Sequence, residues 1–138
     1  MKIEIRYFTR SGNTKKLADA IAKTIGIEAK SIDTPLTEDV DILFLGSSVY
    51  AFGVDENVEQ FINNINVKIG KVVNFSTAAV VKSTYKQVQK LLNEKQIPME
   101  KEEFYCKGSF GPLHRDKPNE KDLHDVALFA EKIIKSNT

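Results

Sequence analysis

The chain has 138 residues, with 41% hydrophobic and 28% charged side chains and a formal net charge of +1. That length suits one domain able to bury roughly two-thirds of its unfolded surface. No apolar run approaches the roughly 18 residues of a membrane span, and no stretch at the start reads as a secretory leader, so a non-membrane, cytoplasmic protein is expected. One cysteine, Cys106, excludes an internal disulfide and suits a reducing compartment. Residues 1–69 hold 8 basic and 10 acidic side chains, and residues 70–138 hold 12 and 9. Neither half has the like-charge block of a nucleic-acid-binding tail.

Residues 2–7 alternate Lys-Ile-Glu-Ile-Arg-Tyr, a period-two strand pattern in which Glu4 and Arg6 argue against burial on both faces. A first helix is expected over 14–25, with Leu17, Ile21 and Ile25 four residues apart and Gly26 ending it. Residues 27–32 read as a second strand. The crossover over 34–40, opened by Asp33-Thr34-Pro35, is too short for more than one turn. Ile42-Leu43-Phe44-Leu45 is a continuous apolar run suited to a strand covered on both faces. Residues 55–65 read as a helix, with Val58, Phe61, Ile62 and Ile65 on one stripe. A fourth strand is expected over 71–76. The next helix opens with a Thr84-x-x-Gln87 capping box and turns Tyr85, Val88, Leu91 and Leu92 inward. Phe104-Tyr105-Cys106 is the last strand, and Pro118-Asn119 introduces a long final helix. Strands alternating with helices define an α/β protein with a parallel sheet.

Between the first strand and first helix lies Phe8-Thr9-Arg10-Ser11-Gly12-Asn13-Thr14. A helix N-terminus offers N–H groups without intrahelical partners and partial positive charge, which suits a phosphate. Thr9, Ser11 and Thr14 add hydroxyls, Asn13 adds an amide, and Gly12 lets the backbone close round a small anion. The plainer reading is an ordinary capped loop, but three hydroxyls beside Gly-Asn exceed what capping requires. Thr9-x-Ser11-Gly12-Asn13-Thr14 resembles the FMN-phosphate loop of the flavodoxin family. It is neither a Walker A loop nor a dinucleotide-binding Gly-x-Gly-x-x-Gly.

The resemblance implies a flavodoxin-like, three-layer, doubly wound fold with five parallel strands in the order 2-1-3-4-5. It also implies one such domain over residues 1–138, with FMN held by the loops after strands 1, 3 and 4. Gly46-Ser47-Ser48-Val49-Tyr50-Ala51-Phe52-Gly53 is similar to the family's Gly-Ser-Pro-Thr-Tyr/Trp stretch, with Ser48 and Val49 where Pro and Thr are usual. Tyr50 falls on the position whose ring stacks on the isoalloxazine; burial of Tyr50 and Phe52 against the next helix is the alternative. Gly53 is the candidate for a peptide that turns its carbonyl toward flavin N5. In Ser76-Thr77-Ala78-Ala79-Val80-Val81-Lys82-Ser83, Lys82 is the only ionisable residue, where well-known flavodoxins have Gly-Asp and an aromatic. It is either a solvated loop lysine or a cation near the ring that stabilises the reduced, anionic flavin.

The tail, Cys106-Lys107-Gly108-Ser109-Phe110 with His114-Arg115 and Pro118-Asn119, is similar to that of short bacterial flavodoxin-like proteins. His114 and Arg115 are exposed loop residues or groups near a second substrate. Cys106 reads as a small buried hydrophobe, and His124 as solvent-facing. The expected function is FMN-dependent electron transfer with redox partner proteins, as a monomer or weak dimer, and without nucleic acid or membrane. An FMN-dependent NAD(P)H:quinone-type oxidoreductase is the alternative, and a partner-binding module without FMN is a third reading. The near-neutral charge departs from the acidic surfaces by which such carriers steer association.

Overall fold

The computed structural model describes residues 1–49, 54–78, 83–109 and 116–138, with Val49 described by its backbone alone. The element order is β1 (Ile3–Tyr7), α1 (Asn13–Ile25), β2 (Ala29–Ser31), β3 (Val40–Val49), α2 (Glu56–Asn63), β4 (Ile69–Ala78), α3 (Tyr85–Glu94), β5 (Phe104–Lys107) and α4 (Glu120–Ser136). The five strands form one parallel sheet in the order β2-β1-β3-β4-β5. The expected topology is therefore observed.

Each face of the sheet buries its own apolar layer. Leu43, Leu45 and Val72 pack with Val58 and Ile62 of α2 and with Val88 and Leu92 of α3. On the other face Ile5, Ile42, Phe44, Val73 and Phe75 pack with Leu17 and Ile21 of α1 and with Val126, Ala130 and Ile133 of α4. The helical stripes read from the sequence are the faces that close these layers. Among the described residues no helix is long and apolar enough to cross a membrane.

β1 lies inside the sheet although Glu4 and Arg6 argued against burial on both faces. Arg6 is only 3% exposed. Its guanidinium pairs with Glu4 Oε1 at 2.8 Å and donates to the carbonyls of Ile5, Thr34 and Pro35. The charge is buried with its partners, and it pins the crossover that covers this face.

β1 and β5 differ from expectation by one residue each, and the other three strands by more. β2 has three residues instead of six, because the N–H groups of Gly26 and Ile27 both close the end of α1 by donating to the Ala22 carbonyl. Gly26 takes φ +85° there. β3 and β4 each have ten residues and run past their apolar segments, so Gly46–Val49 and Ser76–Ala78 are strand rather than loop. Ser47 pairs with Ser76, Ser48 with Thr77, and Val49 with Ala78 across the ladder. The polar ends stay in the sheet because most of their hydroxyls find partners.

The ends of the last three helices also differ in part. α2 ends at Asn63, two residues early, and Asp55 caps it by accepting from the Asn57 N–H. The Thr84-x-x-Gln87 capping box is absent: Thr84 Oγ1 instead accepts from Ser47 Oγ and Asn74 Nδ2, and Ser83 Oγ takes the Tyr85 N–H. A capping box does open α4, between Asn119 and Asp122. His124 is exposed as expected. Cys106 is half-buried rather than buried, and burial raises its thiol pKa to about 12.

Candidate functional site

The carboxyl end of β1 leads straight into the turn before α1. Gly12 takes φ +91°, the left-handed backbone that glycine adopts without strain, and a Cβ there would meet nothing within 4 Å. The Gly12 N–H donates to Thr9 Oγ1 at 2.9 Å, and the Asn13 N–H reaches Ser11 Oγ at 3.5 Å. Both hydroxyls thus act as acceptors inside the turn, which leaves their own protons to be donated outward. The first bond closing α1 runs from the Lys16 N–H to the Gly12 carbonyl. The N–H groups of Thr14 and Lys15 have no acceptor among the described residues. No carboxylate stands in this first turn, and no side chain caps it. These N–H groups, the hydroxyl protons left to Thr9 and Ser11 and the helix dipole together make a donor set suited to a small anion.

The next two residues turn inward. Asn13 Nδ2 donates to the Ser109 carbonyl at 2.9 Å, and Ser109 Oγ donates back to Asn13 Oδ1 at 3.1 Å. The Asn13 amide is committed to the segment after β5. Thr14 Oγ1 is hydrogen-bonded to Ser48 Oγ and lies 3.1 Å from Thr77 Oγ1, while Ser48 and Thr77 meet at 3.0 Å. This places the start of α1 against the ends of β3 and β4. Two glycines make the approach possible: a Cβ on Gly46 would come within 2.9 Å of Thr14 Cγ2, and one on Gly108 within 2.9 Å of Asn13 Nδ2.

A second buried polar group occupies the opposite face of the same strand ends. Ser47 and Asn74 both donate to Thr84, and Asn74 Oδ1 and Ser76 Oγ have no hydrogen-bond partner among the described residues. The sheet is thus apolar through its middle and polar on both faces where β3 and β4 end.

Arg10 links the turn to α2. Its Nε and Nη2 reach Asp55 Oδ2 at 3.1 and 2.6 Å, and its guanidinium carbon lies 5.6 Å from the centroid of the Phe8 ring. Asp55 caps α2 with its other oxygen. Burial pushes the Asp55 carboxyl up, but the Asn57 N–H and the Arg10 guanidinium outweigh it and hold its pKa below the ordinary aspartate value.

The structure therefore brings Thr9, Arg10, Ser11, Gly12, Asn13, Thr14, Ser48, Thr77 and Ala78 to one end of the sheet, where Ala78 accepts the Gly108 N–H. Val49 closes β3 beside them. Tyr50, Ala51, Phe52, Gly53 and Lys82, with His114 and Arg115, lie outside the described residues. Sequence reading gave Ser47, Asn74 and Ser109 no individual part, and it used Asp55 only as an acid at a helix start. Asp55 precedes a helix, which signals a cap; nothing in the sequence pairs it with Arg10, 45 residues earlier.

A five-stranded parallel sheet in the order β2-β1-β3-β4-β5, with helices on both faces, defines the doubly wound α/β class, in which ligands are placed at the carboxyl edge of the strands. A family model described as a flavodoxin domain matches residues 4–110, and the chain belongs to that family. An uncharacterized protein of Methanocaldococcus jannaschii is 30% identical, over 90% of this chain and 91% of its own. Among solved structures, an archaeal flavodoxin superposes with a TM-score of 0.80 at 18% identity, covering 99% of this chain and 98% of that one. Oxidised Flavodoxin 2 from Bacillus cereus gives 0.73 at 18% identity, with 99% of each chain covered. Rubredoxin oxygen:oxidoreductase from Desulfovibrio gigas gives 0.75 at 16% identity, over 98% of this chain but 35% of its own. The family implies a flavin cofactor. The residues present fit a flavin phosphate: among the described residues the Thr14 and Lys15 N–H groups have no acceptor, the Thr9 and Ser11 hydroxyls keep a proton to donate, and the first turn of α1 carries no carboxylate.

Proposed function

We propose that this chain binds FMN and carries electrons between partner proteins. The observation that carries the reading is the turn before α1, where the Thr14 and Lys15 N–H groups stand without acceptors among the described residues beside a left-handed Gly12. The N–H groups of this turn and the hydroxyls of Thr9 and Ser11 would hold the phosphate. Segments after β3 and β4, with Tyr50 and Lys82, would hold the ring. FMN supplies the redox chemistry when bound, and the protein sets its orientation and electrostatics. Asp55 keeps the Arg10 guanidinium at the turn, so that positive charge adjoins the phosphate position while the ion pair limits its excess. No general acid or base is needed for transfer of electrons between proteins. A single cysteine, half-buried, suits the reducing cytoplasm.

The test is titration of the apoprotein with FMN and with riboflavin, followed by flavin fluorescence. FMN binds tightly and riboflavin much more weakly. Ser11→Ala removes one donor to a charged group and weakens FMN roughly ten- to a hundredfold, with riboflavin unchanged. Equal affinity for the two flavins in the unaltered protein refutes the role of the turn. Steady oxidation of NAD(P)H with an added quinone, and no other protein present, would replace the carrier reading with a reductase.

A further inference from the structure

The connection from β2 to β3 runs through residues 32–39 without a helix. It is shorter than the roughly 10–12 residues that a crossover with a helix requires, so it crosses the sheet as a strap. Arg6 holds the strap by donating to the carbonyls of Thr34 and Pro35, and Leu36 anchors it in the apolar layer below. Between the strap and α2 lies a groove of about 740 Å³. Leu36 and the half-buried Phe61 give it apolar surface, and Asn57, Gln60 and Asn64 line it along α2. At about 1.5 Å of helix rise per residue, those carboxamides cover about 10 Å. Among the described residues that line the groove, Asp33 carries the only charge.

This lining suits an uncharged, planar ligand rich in hydrogen-bonding groups. The Gln60 and Asn64 carboxamides make no side-chain hydrogen bond among the described residues, and each offers donors beside an acceptor. Asn57 donates to Asp55 Oδ1 and keeps its own Oδ1 free. Asp33 Oδ2 lies 3.3 Å from Ser31 Oγ, while Asp33 Oδ1 has no partner among the described residues. The Ile32 N–H donates to the Tyr7 carbonyl at 2.9 Å, so Asp33 stands at the carboxyl edge, one strand away from the turn before α1. It follows Gly12 by 21 residues. In dinucleotide-binding sheets an acid about 20 residues beyond the glycine turn accepts from a ribose hydroxyl. We propose that the groove is a site for a purine nucleoside. Asp33 accepts from the ribose diol, the Gln60 and Asn64 carboxamides pair with the base edge, and Leu36 and Phe61 cover the base faces. With no cation in the lining, recognition lies in sugar and base and not in a phosphate. The site is separate from the turn before α1 and does not rest on the FMN reading.

The experiment titrates adenosine, uridine and dideoxyadenosine, which lacks the ribose diol, into the isotope-labelled chain with and without FMN. Affinities and amide shifts are read for the unaltered chain, Asp33→Ala and Gln60→Ala; both side chains are exposed, so neither change disturbs the core. Adenosine binds saturably, more tightly than uridine, and moves amides within 33–37 and 57–66. Asp33→Ala weakens adenosine about tenfold and leaves dideoxyadenosine unchanged, whereas Gln60→Ala weakens both about fivefold. Adenosine that joins the FMN-treated chain without affecting FMN marks a free nucleoside as the ligand. FAD that excludes both marks the nucleoside end of a dinucleotide. Absence of saturable binding, shifts confined to residues 9–15, or an Asp33→Ala loss shared equally by adenosine and dideoxyadenosine overturns the proposal.

Discussion

Gly46→Ala tests how tightly α1 is seated on the sheet. Gly46 lies in β3 opposite Phe75 of β4 and Tyr7 of β1. A methyl group built on it falls under 3.0 Å from Phe75 Cε2 and Cζ and 2.9 Å from Thr14 Cγ2. Phe75 and Thr14 are both fully buried, so neither the ring nor the helix turn has open space to move into. Overpacking of this kind costs typically 1–3 kcal/mol, and three violated contacts put this site near 3 kcal/mol. For a domain of this size that corresponds to a fall in Tm of about 10 °C. Gly26→Ala is the control: its φ is +85° but nothing lies within 4 Å, so the loss is confined to left-handed backbone strain of about 1 kcal/mol. Thermal and urea unfolding followed by circular dichroism measure both. A Gly46→Ala protein as stable as Gly26→Ala would refute the close seating of α1.

Arg6→Met strips the donor from Glu4 and from the Ile5, Thr34 and Pro35 carbonyls. It should destabilise by about 2–4 kcal/mol, read as a lower urea midpoint with an unchanged slope. Acid is the other perturbation. Burial raises the Glu4 and Asp55 carboxyls, but Arg6 and Lys2 at Glu4, and the Asn57 N–H with Arg10 at Asp55, leave both pKa values below normal. A depressed carboxylate stabilises the fold above its unfolded pKa, near 4, and this contribution disappears as pH falls through the lowered folded value. Urea unfolding at successive pH values should therefore hold between pH 7 and about 5 and drop below about 4, with a shallower drop in Asp55→Asn.

The turn before α1 was legible because its hydrogen bonding is local. Thr9 accepts from the Gly12 N–H and Ser11 from the Asn13 N–H, each within three residues, and the N–H groups left over belong to the helix that follows. The apolar quartet Ile42–Leu45 likewise declared a covered strand, and all four residues are buried. The strand ends were not legible. Gly46, Ser47 and Ser48 look like loop because their partners, Thr14, Thr77 and Thr84, lie far along the chain. The same distance explains Thr84, whose spacing to Gln87 suits a cap but whose hydroxyl is taken by Ser47 and Asn74. Arg6 misled in a related way: a charged residue in a strand suggests an exposed face until the carbonyls of a distant crossover are there to receive it.

The lengths of the strands bear on how copies of this protein behave when crowded. β3 and β4, with ten residues each, are flanked on both sides, while the outermost strands have only three and four. A neighbouring chain seeking a template for strand addition meets a very short row of unpaired N–H and C=O groups at either margin. On β5 that row carries the exposed Lys107, whose charge opposes close approach of an identical strand. Short outer strands and a lysine are among the means by which open sheets resist edge-to-edge aggregation. The longest ladder, between β3 and β4, lies inside the sheet rather than at its short outer strands.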